Sequence, residues 1–405
     1  MPYLKSLIKC LAVLFAAGGL LLFIPQGSFS MEPSPFSGER NGDRMALGAI
    51  LPLSGPYAEF GDKILDSLLL AGGFFDEKQE APVELYLVDS QMKPEKARRG
   101  LSELADDRHV LAVIGPVSSE ESYAAAEEAE NRGVPLITLT RNQDVTGIGP
   151  YIFNALPSAR TQISHLADYA LTQMGIRTIA IFYPDIPAGQ DAADFFREEM
   201  KKRGEKPIRF IAYPANTADF SAGIEMLTGQ KADPEHAGSP AVKIARQSPF
   251  EALFIPDSLP QVSRIVSQLV SYQVTGLQLL GYGGWNMSED VTAHRDLFEG
   301  SVFVDGYFPN GAIPESAEFA DCFYEAYDRE ADSLDAYAYD AMAMTLRLIR
   351  AAKKPTRDRL RQDLSGMRAY PGVRGAVTVD PLRIMDSQPF LITLTEGHFA
   401  QIMEP

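Results

Sequence analysis

The sequence predicts an α/β protein made of two Rossmann-like units, each a parallel sheet flanked by helices. Three observations carry this. Short apolar runs suited to strands covered on both faces alternate with stretches of helical period. The alternation restarts near Thr178. A chain of 405 residues also exceeds one usual core, which points to two domains.

In chain order, the first unit reads as strands at Ala46–Leu51, Val83–Asp89, Val110–Ile114, Leu136–Thr138 and Tyr151–Phe153. Its helices fall near Asp62–Phe75, Pro94–Ala105 and Glu120–Asn131. Between the units, Ile163, Leu166, Ala167, Ala170 and Leu171 form a helical stripe that faces a core, and Gly175 ends it. The second unit reads as strands at Thr178–Phe182, Ile208–Tyr213, Ala252–Ile255 and Leu277–Leu280, with helices near Gln190–Arg203 and Gln261–Tyr272. The polar, breaker-rich stretch Gly229–Ser248 reads as a surface insertion. A long helix from Asp335 through Lys353 follows, then a shorter one at Thr356–Ser365, and strands at Gly375–Val379 and Phe390–Thr395.

Residues 1–30 stand apart from this globule. Lys5 and Lys9 open a basic start, Cys10–Ile24 is apolar and uncharged, and small residues follow Pro25, the layout of a cleaved secretory signal. An uncleaved anchor is the alternative, although the apolar run is short for a spanning helix. Residues 31–44 read as a tether, and no other stretch is suited to cross a bilayer.

The composition, 45% hydrophobic and 22% charged, is that of an ordinary globule. The net charge of −17 becomes −19 once Lys5 and Lys9 leave with the signal. Such a body is a poor partner for nucleic acid or anionic lipid. Cys322 is then the sole cysteine and is expected as a free, partly buried thiol on a helix.

Catalytic patterns are scarce. His109, His165, His236, His294 and His398 are scattered without metal-ligand spacing. There is no phosphate-binding glycine loop, no nucleophile elbow and no dinucleotide fingerprint after the first strand. The chain is therefore expected to have no catalytic residues, metal or cofactor.

The most informative segment runs from Val110 to Ser122. An apolar strand breaks at Gly115-Pro116, and Ser118 or Ser119 can cap a helix with an acidic first turn. The junction aims backbone N–H groups and two hydroxyls at one point outside the sheet, a receptacle for a small carboxylate. Routine capping explains the same residues equally well.

The loop Leu51-Pro-Leu-Ser54-Gly55-Pro56-Tyr57-Ala58-Glu59-Phe60-Gly61-Asp62 resembles the opening of the bacterial branched-chain amino-acid binding proteins of the class I periplasmic binding protein superfamily. The likeness continues through Val88–Ser90, Pro94–Ala97, Ile114–Ser119 and Gly133–Thr140, and in the second unit through Ile179–Tyr183, Asp219–Ser221 and Phe254–Asp257. It implies two lobes joined by three hinge crossovers, near Phe153–Leu156, Val302–Tyr307 and Gly375–Val379. Lobe I would comprise 45–153 plus 306–375, and lobe II 154–305 plus 376–405.

The resemblance also implies first-lobe ligand contacts at Phe60, Val117, Ser118, Ser119, Thr140, Arg141 and Asn142. Thr140 and Asn142 stand at a strand exit, where open α/β sheets bind ligands. The second lobe departs from the family pattern, because a glycine stands where the acid that holds a ligand ammonium is expected. Asp257 could substitute for that acid, or could cap the helix beyond Pro260. Trp285 and Tyr282 could form an aromatic wall or simply pack. Arg141 implies an added anionic group on the ligand, or a salt bridge to an internal acid.

These features lead to the expectation of a monomeric periplasmic receptor of an ABC-type importer. It would capture a small polar organic molecule, an amino acid or related carboxylate, for a membrane permease complex. The runs Tyr282–Asn286 and Phe298–Phe308 also resemble penicillin-binding protein activators, which implies the alternative of an envelope module that binds a peptidoglycan synthase.

Overall fold

The structure is a computed structural model and describes residues 45–74, 83–229, 231, 248–272, 274, 276–283, 285 and 295–404. The expected signal and tether, most of the expected insertion, and Gly284 and Asn286 lie outside the described residues. In the first lobe the chain forms β1 (Met45–Leu51), α1 (Ala58–Gly72), β2 (Val83–Asp89), α2 (Pro94–Asp106), β3 (Val113–Ile114), α3 (Ser119–Arg132), β4 (Leu136–Thr138) and β5 (Ile152–Asn154). The five strands are all parallel, in the order β2-β1-β3-β4-β5.

Both faces of this sheet are covered, which is why its strands read as continuous apolar runs. Leu47, Ala49 and Leu51 of β1 face one cluster, which also holds Ile64 and Leu68 of α1. Ala46 and Ile50 face the other, with Leu101 and Leu104 of α2 and Ala125 and Ala129 of α3. The expected strand Val110–Ile114 is shorter in the structure. The Val110 N–H donates to the Leu104 carbonyl at the end of α2, and only from Leu111 onward do bonds reach β1.

The second lobe contains α4 (Ala159–Asp168), β6 (Ile179–Pro184), α5 (Pro187–Lys202), β7 (Arg209–Tyr213), α6 (Ser221–Thr228), β8 (Ala252–Ile255), α7 (Leu259–Ser271), β9 (Gln278–Tyr282), α8 (Arg295–Phe298) and β10 (Val302–Asp305). The chain then returns to the first lobe through α9 (Pro314–Tyr327), α10 (Ser333–Ala351), α11 (Arg357–Ser365), β11 (Tyr370–Gly372), β12 (Gly375–Val379) and β13 (Met385–Asp386). It ends in the second lobe with β14 (Phe390–Thr395) and β15 (His398–Gln401). The second sheet has the order β15-β14-β10-β9-β8-β6-β7. Its strands are parallel except that β14 and β15 run antiparallel to their neighbours.

The C-terminal segment divides differently from the expected boundary at 375. Val377, Val379 and Met385 pack in the first-lobe core, and β11, β12 and β13 form a separate antiparallel sheet. The last crossing therefore follows β13 and does not fall at Gly375–Val379. Beside it, the Thr161 hydroxyl of α4 donates to Asp386 at 2.8 Å.

A buried ion pair pins this C-terminal hairpin. Arg374 and Asp340 lie 3.2 Å apart with side chains 0% and 1% exposed. The Asp340 carboxylate also accepts from the Val373 N–H at 2.9 Å, and Arg374 donates to the Met385 carbonyl. Cys322 is exposed on α9, not partly buried, because its neighbour Phe323 takes the core-facing position.

Candidate functional site

In open parallel sheets the loops beyond the C-terminal strand ends hold ligands, because helix starts and strand exits converge there. Loop 115–117 lies flat on the first sheet at that edge. The Gly115 N–H donates to the Ile137 carbonyl, and the Leu139 N–H donates to the Pro116 carbonyl. Gly115 has φ +93°, and a Cβ there would stand 2.1 Å from the Ile50 carbonyl oxygen.

The two serines part in role. Ser118 is the N-cap of α3, and its Oγ accepts from the Glu121 N–H at 3.3 Å and donates to Glu121 Oε2 at 2.7 Å. Glu121 is fully buried. This reciprocal cap absorbs Ser118 and much of the helix-start field. Ser118→Ala is expected to lower stability by about 1 kcal/mol in chemical denaturation while leaving solute affinity nearly unchanged.

Ser119 stays exposed, with its Oγ 3.3 Å from Thr140 Oγ1. Thr140 is 1% exposed, and its hydroxyl accepts from the Asn142 N–H at 3.2 Å. The Thr140 carbonyl in turn accepts from the Asn154 amide. Asn142 is spent on structure, because its Oδ1 caps the following 3₁₀ turn through the Asp144 N–H. Val117 is half-buried and packs on the first-lobe core. Phe60 is 49% exposed in the first turn of α1, beside Tyr57 at 47%.

Arg141 follows β4 and is exposed. Among the described residues it forms no hydrogen bond or ion pair. Its charge nevertheless acts on two phenols, Tyr282 at the end of β9 and Tyr337 on α10. Burial pushes the Tyr282 hydroxyl up, Arg141 opposes that shift, and Asp305 adds to it. The phenol is therefore protonated at neutral pH.

Sequence reading named Tyr282 but missed Tyr337 and Asp305, because Tyr337 looks like an ordinary core position of a long helix and Asp305 like a strand end. Asp305 is 2% exposed and accepts from the Gly306 N–H and the Ser333 hydroxyl. The Tyr337 hydroxyl lies over Gly306, where a Cβ would stand 2.1 Å from it.

On the second lobe two expectations meet the core. Asp257 is half-buried, accepting from the Tyr213 hydroxyl at 2.7 Å and the Ser258 N–H at 2.6 Å. It does not cap α7, whose N-cap is Ser258. Trp285 is 1% exposed and so forms no aromatic wall. Its indole sits on Gly281, where a Cβ would approach it to 2.5 Å, and packs on Phe298 and Phe303. Its Nε1–H donates to the Asp257 carbonyl.

Two parallel-sheet lobes with converging strand exits and repeated chain crossings define the class I periplasmic binding fold. The chain belongs to the periplasmic binding protein family, whose profile matches residues 45–389. That family is one of solute-binding receptors, not catalysts.

Among curated relatives, the chain is 25% identical over 203 residues to Leu/Ile/Val-binding protein homolog 3 of Brucella melitensis biotype 1, covering 48% of this chain and 54% of that protein. It is 24% identical over 228 residues to an amino acid binding protein of Pseudomonas aeruginosa, covering 53% of this chain and 60% of the relative. The matched region thus spans a little over half the length of these relatives.

Solved structures agree in fold. The branched-chain amino acid transporter substrate binding protein LivJ of Streptococcus pneumoniae, in complex with isoleucine, superposes with a TM-score of 0.68 at 20% identity, over 89% of this chain and 99% of that one. A solute binding protein of an ABC transporter of Rhodopseudomonas palustris, in complex with 3,4-dihydroxy benzoic acid, gives 0.66 at 20% identity, over 89% and 96%.

Proposed function

We propose that this chain is the secreted solute receptor of an ABC-type importer. It captures a small organic acid between its lobes in the periplasm and presents it to a membrane permease. The observation that carries this reading is Arg141, exposed and unpaired among the described residues, next in sequence to Thr140, whose hydroxyl meets that of Ser119 at the strand exit. The ligands of the structural relatives include isoleucine and 3,4-dihydroxybenzoic acid, which share a carboxylate. The mechanism is binding without bond-making: a solute that touches both lobes favours the closed state by its differential affinity for it.

Thermal unfolding tests this, using mature protein freed of bound solute by denaturation and refolding. At least one member of a panel of amino acids and small carboxylates is expected to raise the midpoint by several degrees, since saturation at 100 times Kd adds about 2.7 kcal/mol. A midpoint unmoved by the whole panel, with no solute released from native protein, would remove the receptor reading.

A further inference from the structure

We infer that the solute is a small carboxylate lacking an ammonium group, with an apolar or aromatic body, and that Arg141 is the residue selecting it. The inference rests on the receptor reading and goes further by naming the ligand class. Its first support is charge supply at the first-lobe edge. The start of α3 is already occupied by Glu121, held by Ser118, and Glu120 adds a second acid to the first turn. A ligand carboxylate therefore meets a helix end whose field is largely offset. Arg141 is an exposed cation at that edge, next in sequence to Thr140, and its planar fork suits a carboxylate.

The second support is the fate of the carboxylates at the exits of the second sheet among the described residues. An α-amino acid needs one of them for its ammonium, since a desolvated charge without a partner is costly. Asp257 is bound by Tyr213 and Ser258, and Asp305 by Gly306 and Ser333. Asp185, at the exit of β6, is bonded to Gln190 and is separated from β9 by β8. Among the described residues the charge of Arg141 is felt at the neutral phenol of Tyr282, at the end of β9. Arg141 favours an anion and repels an ammonium, and the neutral Tyr282 phenol can donate to a carboxylate. The exposed faces of Phe60 and Tyr57, on the loop and helix after β1, offer apolar surface for the rest of the molecule.

The experiment is isothermal titration calorimetry of the mature protein, cleared of solute, with benzoate and L-leucine as probes, alongside mass spectrometry of any solute released from native protein. Benzoate is expected to bind at least about tenfold more tightly than leucine, and any released solute to be a carboxylate without an ammonium. Arg141→Gln is expected to weaken benzoate about 10- to 100-fold, the loss of one charge-assisted contact. The midpoint of the ligand-free variant should stay in place, because Arg141 is exposed and unpaired among the described residues.

Tighter binding of leucine, release of an amino acid, or an unchanged benzoate affinity in Arg141→Gln overturns the inference and leaves the receptor reading intact. No heat with either probe and no released solute overturns both.

Discussion

Asp340→Ala is expected to destabilise the protein by about 3–5 kcal/mol in chemical denaturation. The substitution leaves the Arg374 guanidinium, fully buried, without its hydrogen-bonded carboxylate partner, and strips the Val373 N–H of its acceptor. Neither group can turn to water. The double variant Asp340→Leu with Arg374→Met should recover most of the loss, since an apolar pair of similar volume carries no stranded charge.

The carboxyl also gives the stability a pH dependence of definite sign. Burial pushes it from 3.8 up to about 6 despite Arg374. The native state thus holds this proton more tightly than the unfolded chain. The resulting stabilisation is full below 3.8 and is lost as the pH rises through about 6. Asp340→Asn should abolish this component of the slope, read as the difference between variant and parent unfolding curves across that window.

Gly115→Ala should cost about 3 kcal/mol or more, and should weaken solute binding as well. Two independent penalties act at this position. The backbone sits at φ +93°, which side chains rarely adopt, and the new Cβ would meet the Ile50 carbonyl oxygen at 2.1 Å. The obstacle is strand backbone in the middle of the sheet and cannot swing aside. Loop 115–117 must lift, carrying Ser119 away from Thr140. Denaturation midpoint and calorimetric affinity should fall together, unlike the separate effects expected of Ser118→Ala and Arg141→Gln.

Strands buried on both faces were the most legible part of the chain. Leu136–Thr138 and Ala252–Ile255 occur with the expected bounds, because a buried apolar run between breakers has few other solutions, and the less buried Val83–Asp89, Gly375–Val379 and Phe390–Thr395 keep theirs too. The helix α6 is short, with little apolar periodicity, and β15 is a half-polar edge strand, so neither announces itself.

The expectation of a lobe boundary at 375 failed for a different reason. Apolar alternation shows that Gly375–Val379 is a strand but not which core receives Val377 and Val379. At the site, the strand-to-helix junction was readable, while the division of labour between Ser118 and Ser119 turned on Glu121 three residues on. Of the two readings of Trp285 the packing one holds, and nothing adjacent to it in sequence shows that Gly281 leaves room for an indole. The effect of the Arg141 charge on Tyr282 is a product of the tertiary fold, and no local pattern encodes it.

The order of strands in the second sheet bears on how the chain is made. β10 lies between β9 and β14, and β14 with β15 follow it in the chain only after the first-lobe elements α9 to β13. Until they arrive, the apolar strand Val302–Asp305 has an open edge, the kind of template on which nascent chains pair with one another. The second lobe therefore cannot close its sheet during elongation, although the strands of the first-lobe sheet have all emerged by Asn154. A chain broken off before Phe390 would have one finished lobe and one adhesive edge.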